Sequence, residues 1–223
     1  MLRVVILLAL SISVALPAAG QSSRETSRQG GRNGIQVPGW KGRTDRSEDR
    51  IADVRFVAEG SGFRLTSGPH SALWNPGSRA AGEYTVSARL SKLRSSGSSQ
   101  EESYGIFIAG NGLDGPTPNY LYCVVFGTGS VMVRHRQGSE TATLLGKTAV
   151  RAVSRMGPDG VTDEISMWVR SGRVGCSVNG TEVFSAPRES MLGPGKLVST
   201  DGVFGLRASH NLDLLIEGPS LSR

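Results

Sequence analysis

The carboxylate pairs Glu101-Glu102 and Asp163-Glu164 have residue types that suit acid–base chemistry, and neither is spaced for it. Glycoside hydrolysis typically uses two carboxyl groups held ~5–5.5 Å apart for retention or ~6.5–9.5 Å apart for inversion. Asp163 and Glu164 open a strand, on which adjacent residues point to opposite faces. Glu101-Glu102 falls in a Ser-rich loop. Histidine has its ordinary pKa near neutrality, so His70 and His210 are candidate acids or bases, but no carboxylate motif stands beside either. Asn111, Asp114 and Asn119 gather oxygen donors of the kind Ca²⁺ takes in one loop. That loop is rich in Gly and Pro and poor in carboxylates, so these residues read as turn formers, with no metal and no cofactor expected.

Two further sites of possible chemistry depend on geometry. Cys123 and Cys176 are the chain's only cysteines, and both fall on inward strand faces. They read equally as a disulfide or as two small buried hydrophobes. Asn179-Gly180-Thr181 matches a glycosylation sequon. The Asn-Gly pair is also what a type I′ turn requires, and the turn accounts for it.

The elements that must position these groups are strands. From Asp163 to Phe184, Ile165, Met167 and Val169 alternate with polar neighbours, Ser171-Gly172 breaks the run, and Val174, Cys176 and Val178 begin a second alternation. Threading Asn179-Gly180 as a two-residue hairpin puts Val178 opposite Thr181, Cys176 opposite Val183 and Gly175 opposite Phe184. Trp168 faces away from the core, either under a loop or as an exposed stacking platform. Arg55–Ala58 and Gly62–Thr66 read as a hairpin, and Ser71–Trp74 as a short strand stopped by Asn75-Pro76-Gly77. Tyr84, Val86, Ala88 and Leu90 share one face of a longer strand. Tyr104–Ala109, Tyr120–Phe126, Val131–Arg136, Val203–Ala208 and Leu212–Ile216 complete eleven to thirteen strands. Thr148–Met156 is either a short helix or a connecting loop. Many short strands separated by turns predict an all-β sandwich.

Composition sets the frame. Arg3, the apolar run Val4–Val14 and Pro17-Ala18-Ala19-Gly20 form a signal peptide over residues 1–20, which predicts a secreted or periplasmic chain. The run is shorter than the ~20 residues a membrane-spanning helix needs, so the chain is not expected to span a membrane. Residues 21–38 read as a flexible leader, 39–218 as the β-sandwich domain and 219–223 as a C-terminal tail. Glycine is abundant at 30 of 223 residues and only 20% are charged, which suits strands and turns. The net charge of +6 is unevenly placed: residues 21–50 hold seven Lys/Arg against four Asp/Glu, and residues 51–223 hold seventeen against fifteen. The domain is nearly neutral, so no nucleic-acid partner is expected.

Over most of residues 39–217 the chain resembles the concanavalin A-like lectin/glucanase superfamily. The segment I-S-M-W-V-R-S-G-R-V-G-C-S-V-N-G-T-E-V is similar to the strand–strand–V-N-G hairpin of laminin G-like jelly rolls. Gly68–Pro76, Asn119–Tyr122, Arg134-His135-Arg136 and Gly205–Leu212 resemble bacterial secreted proteins of the 3-keto-disaccharide hydrolase-like group. The resemblance implies a two-sheet antiparallel jelly-roll sandwich of a kind met in carbohydrate-handling proteins. Glucanases of the superfamily carry E-x-D-x-x-E on one strand, and this chain has no such pattern.

The narrower resemblance carries a polar-aromatic set: His70, Trp74, Asn75, Asn119, Tyr120, Tyr122, Arg134, Arg136, Arg207 and His210. Sugar recognition uses an aromatic face for the C–H side of the ring and fixed polar groups for its hydroxyls. The expected function is therefore non-catalytic binding of carbohydrate or cell-wall glycan. One alternative is an enzyme acting on 3-keto-disaccharides or related glycosides, with His210 or His70 as base and Arg134 or Arg207 as oxyanion stabiliser. The other is a structural or protein-binding envelope module.

Overall fold

The computed structural model describes residues 33–93 and 101–223. The expected signal peptide and most of the leader lie outside the described residues, as does 94–100 of the Ser-rich loop. The first strands are β1 (Gly34–Ile35), β2 (Lys41–Thr44), β3 (Val54–Glu59), β4 (Gly62–Ser67), β5 (Ser71–Ala80) and β6 (Tyr84–Lys92). Next come β7 (Ser103–Asn111), β8 (Asn119–Phe126), β9 (Ser130–Gln137) and β10 (Glu140–Ala149). The meander is β11 (Val161–Arg170), β12 (Arg173–Val178) and β13 (Thr181–Pro187), and β14 (Gly202–Ala208) and β15 (Leu212–Ser222) close the fold.

The strands form two sheets, making the sandwich that the many short strands predict and the jelly roll that the resemblance implies. The eight-stranded sheet has the order β1-β3-β4-β15-β6-β11-β12-β13, and the seven-stranded sheet β10-β9-β8-β7-β14-β5-β2. Neighbours are antiparallel except β1 and β3. Between the sheets lies the main core, where Tyr84, Val86, Ala88 and Leu90 of β6 meet Leu121, Cys123 and Val125 of β8 and Ile165, Met167 and Val169 of β11. Each large apolar side chain fully buried there contributes roughly 1.5–3 kcal/mol. Cys123 and Cys176 are disulfide-bonded with their Cα atoms 6.5 Å apart, so one covalent link ties β8 in one sheet to β12 in the other.

Several local expectations change. At the Asn179-Gly180 turn both residues have positive φ, 49° and 78°, as a type I′ hairpin needs. Beyond it the register shifts. Val178 pairs with Thr181, but Cys176 pairs with Phe184 rather than Val183, because β13 carries an extra residue in a bulge. The Asn179 amide donates to Ala152 O at 2.7 Å and to Asp163 Oδ1 at 2.8 Å, so this side chain braces the turn. Trp168 does face outward, yet at 3% exposure it is no exposed platform. Its ring lies over Gly175, where a Cβ would come within 2.2 Å of it, and the Arg170 guanidinium stacks 4.2 Å from its centroid.

β5 does not stop at Asn75-Pro76-Gly77. These residues bulge out where Trp74 pairs with Gly205 and Arg79 with Val203, and the strand then resumes. A proline has no ladder donor, and a bulge is where a strand tolerates one. The same logic extends β15 through the expected tail: pairing with β6 is interrupted after Glu217 and resumes at Ser220. Pairing also begins at Gly34, inside the expected leader, because Ile35 and Val37 pack against the core. β10 is a strand the pattern missed. It is almost wholly exposed on both faces, so nothing enforces alternation. Its last residues, Thr148 and Ala149, open the stretch that read as helix or loop, and the rest is a turn with a bridge from Arg155 to Thr128.

Candidate ligand site on the seven-stranded sheet

β8 is buried along its whole length, although only one of its faces meets the main core. On the other face Tyr120, Tyr122, Val124 and Phe126 form a second apolar layer with Trp74, Phe107, Leu113 and Val203. The Phe107 and Tyr120 rings lie 5.0 Å apart and the Tyr120 and Tyr122 rings 5.8 Å apart, ordinary tilted aromatic contacts. The neighbouring strand continues this outer face in polar form. Arg136 pairs with Tyr120, Arg134 with Tyr122, and Met132 with Val124.

The chain beyond β2 crosses this layer and is pinned to it at Asp45. The Asp45 N–H donates to His70 O at 3.1 Å, and its carbonyl accepts from Arg136 Nη2 at 3.1 Å. Its carboxylate accepts from Arg136 Nη1 at 3.0 Å and from Arg207 Nη2. Arg136 is also braced by donating from Nε to Gly138 O at 2.9 Å. The Arg207 guanidinium lies 5.3 Å from the centre of the Tyr122 ring, a cation–π contact. Its Nη1 is buried with no hydrogen-bond partner among the described residues, as is the Tyr120 hydroxyl. Nearby, Arg43 Nη1 donates to the carbonyls of Leu113 and Gly115 at 2.9 and 2.8 Å, tying the loop after β7 to β2 just before the crossing segment.

These contacts set the local electrostatics. Burial alone would raise the pKa of Asp45, but the charges of Arg207 and Arg136 and the Arg207 hydrogen bond outweigh it and hold the carboxyl below its ordinary value. Burial, helped by the Arg207 charge, pushes His70 down to about 4, against a partial counter-effect from Asp45. His70 is therefore a neutral imidazole at physiological pH. Burial also raises the Tyr120 hydroxyl, keeping it protonated.

A pocket of about 310 Å³ opens beside the pinned segment, walled by Asp45, Arg46, His70, Tyr122, Met132, Arg134, Arg136 and Arg207 among others. That volume is at the lower end for small-molecule sites. On the other side of the Asp45 segment lies a broader depression of about 680 Å³, where Trp74 joins Arg43, Glu48 and Asp114.

The structure thus brings together His70, Tyr122, Arg134, Arg136 and Arg207 of the expected set. His210 stands behind them with its ring 4.9 Å from that of His70. Tyr120 lies beneath, in the same aromatic layer, fully buried. Trp74 belongs to that layer but borders the broader depression. Two residues lie apart. Asn75 Oδ1 accepts from Gly77 N within the β5 bulge. Asn119 is spent as a latch: its Nδ2 contacts His135 Nε2 at 3.1 Å and Lys196 O at 3.0 Å, and its Oδ1 accepts from Val198 N. The oxygen donors of the Gly/Pro loop also diverge, since Asp114 pairs with Lys41 at 3.1 Å and Asn111 donates to the carbonyls of Ala109 and Asp201. Asp45, Arg46 and Met132 are pocket residues that the sequence reading missed. A carboxylate closing on arginines from distant strands leaves no short-range spacing to find.

No protein-family model matches the chain, and no curated protein matches it in sequence. Solved structures do match in fold. The carbohydrate binding module CBM66 from Bacillus subtilis aligns with a TM-score of 0.58 at 9% identity, covering 85% of this chain and 98% of its own. A Bacillus subtilis protein of unknown function with a galectin-like fold aligns at 0.58 and 16% identity, covering 86% of this chain and 96% of its own. The Bacteroides ovatus mixed linkage glucan GH16, in complex with a G4G4G3G product, aligns at 0.54 and 11% identity, covering 82% of this chain and 94% of its own. At such identities the likeness is one of fold: this chain is a two-sheet antiparallel jelly-roll sandwich.

Proposed function

We propose that this chain is an exported, non-catalytic carbohydrate-binding module whose site is the pocket on the outer face of the seven-stranded sheet. The observation that carries the reading is the pairing of an aromatic wall, Tyr122 backed by Tyr120, with guanidinium donors from Arg134, Arg136 and Arg207 around one cavity. An aromatic face suits the C–H side of a pyranose, and fixed donors suit its hydroxyls. Among the described residues walling this pocket Asp45 is the one carboxylate, and two arginines hold it ionised. It is poorly suited to donate a proton to a leaving group, and the second carboxyl of ordinary glycoside hydrolysis is missing from the pocket wall. The solved carbohydrate-binding module with the same fold is consistent with this reading. The test is retention of the mature chain on soluble and insoluble glycan panels. Arg134→Ala should weaken retention, and failure to bind any glycan overturns the proposal.

A second reading rests on His70. Its imidazole stands in the pocket wall beside the Arg207 charge, where it could take a proton next to an oxidised sugar carbon while the guanidinium stabilises the resulting oxyanion. Burial makes it a weaker base than a free imidazole, so the reading rests on position. In a 3-keto-glycoside this leads to β-elimination of the aglycone without a carboxylic acid pair. Release of aglycone from a 3-keto-glucoside, abolished in His70→Ala while binding persists, is the result expected of this enzyme. No release by the intact chain removes it.

A further inference from the structure

The pocket's charge says more than that it binds a sugar. Four guanidiniums, from Arg46, Arg134, Arg136 and Arg207, border it against the single carboxylate of Asp45. That carboxylate is already shared between Arg136 and Arg207. Arg134 donates from Nε to Thr143 Oγ1 at 3.1 Å and makes no ion pair among the described residues. Arg207, only 6% exposed, keeps a buried Nη1 without a hydrogen-bond partner among the described residues. A neutral glycan would leave these donors facing hydroxyls while the positive charge stayed uncompensated. An anionic substituent would satisfy both, since guanidinium matches the planar oxygens of a carboxylate or sulfate with paired, charge-assisted hydrogen bonds.

We infer that the site selects acidic glycans: the ring of an anionic sugar lies against Tyr122 and Met132 while its carboxylate or sulfate group meets Arg134 and the free edge of Arg207. The net charge of the whole chain does not produce this, because residues 51–223 are nearly balanced, and the selectivity is local to the pocket. The inference rests on the glycan-binding reading above and narrows it to a ligand class.

The test uses short ligands, so that general attraction between a basic protein and a polyanion does not intrude. Titration calorimetry of the mature chain compares three disaccharides of one linkage, ending in glucose, in glucuronic acid and in a glucose sulfate ester. The expected result is binding of at least one acidic disaccharide about tenfold or more tighter than the neutral one, with the advantage shrinking as salt is added. Preference for the uronate assigns carboxylate ligands, and preference for the ester assigns sulfated ones. Arg134→Gln should erase most of the preference, whereas Arg173→Gln, an equal charge loss at an exposed residue that opens β12 on the other sheet, should leave it unchanged. Equal binding of neutral and acidic disaccharides overturns the acidic selectivity and leaves glycan binding standing. An equal loss of preference in both variants also overturns it, because the effect would then be one of overall charge. Binding of none of the three overturns both readings.

Discussion

The Asp45 carboxylate accepts a hydrogen bond from Arg207, 162 positions along the chain, and this contact fastens the segment after β2 across the aromatic layer of the seven-stranded sheet. Arg136 takes the other carboxylate oxygen at 3.0 Å. The result is a three-member ion cluster in which both cations are deeply buried and the anion retains some contact with solvent, its side chain being 20% exposed.

Asp45→Ala leaves two buried guanidiniums uncompensated. Breaking such a cluster from one side costs about 3–5 kcal/mol when fully buried, and the partial exposure of Asp45 puts the expected loss near the lower figure, ~3 kcal/mol. Urea denaturation measures it. Added formate, a carboxylate small enough to enter the gap, should recover part of the loss in the variant and none in the parent.

His70 gives the pH dependence a definite sign. Its folded pKa of about 4 lies below the value of 6.5 for a free imidazole, so the unfolded chain binds the extra proton first as pH falls. The stability associated with neutral His70 is complete above pH ~6.5 and is lost progressively on acidification towards pH 4. The groups acting on it are Arg207, Asp45, His210 and Arg46. His135, whose pKa burial also lowers, adds a slope of the same sign. Stability measured across this window should flatten in His70→Asn and flatten further when His135 is also replaced. Below it, protonation of Asp45, with its depressed pKa, takes over.

Reducing the Cys123–Cys176 link releases a loop with a sequence separation of 53. Loop-closure entropy of that length corresponds to about 4 kcal/mol of unfolded-state constraint. The Cys123→Ala/Cys176→Ala double variant should unfold at correspondingly lower denaturant, and alkylation with and without reductant, read by mass spectrometry, verifies the bond in the parent.

Gly175→Ala should destabilise through crowding alone. A methyl there meets the Trp168 ring at 2.2 Å, and overpacking of this order costs about 1–3 kcal/mol. Denaturation followed by tryptophan fluorescence reports it. Glycan retention should not change, because the pair sits on the opposite sheet from the pocket.

What was legible in the sequence was whatever one buried face imposes on a strand. β6 and β11 alternate because every second side chain meets the core, so both were readable residue by residue. β10 lies in solvent on both faces and left no such trace. Pro76 looked like an ending because proline stops ladders, whereas here it occupies a bulge with pairing restored beyond it, and β15 likewise runs on past Pro219. At the site, Tyr122 and Arg134 stood in one candidate set by residue type alone, and the fold makes them cross-strand partners. Asn119 looked equally polar and available, but its amide is consumed by His135, Lys196 and Val198, contacts between segments that no local pattern connects. Asp45 was invisible for the same reason, being one acid in a charged stretch until the fold delivers two arginines to it.

Among the described residues the sheet that bears the pocket ends at β10, an edge whose amides and carbonyls would ordinarily invite a strand from another molecule. Its pairing with β9 slips twice, between Thr143 and Leu145 and again between Leu145 and Thr148, and Leu144 stands out at the first slip, 37% exposed. Such irregularity disrupts the even row of donors and acceptors that strand addition copies. A protein whose pocket-bearing sheet ends in such a strand can thereby be crowded at high local concentration without that edge zipping onto a neighbour's.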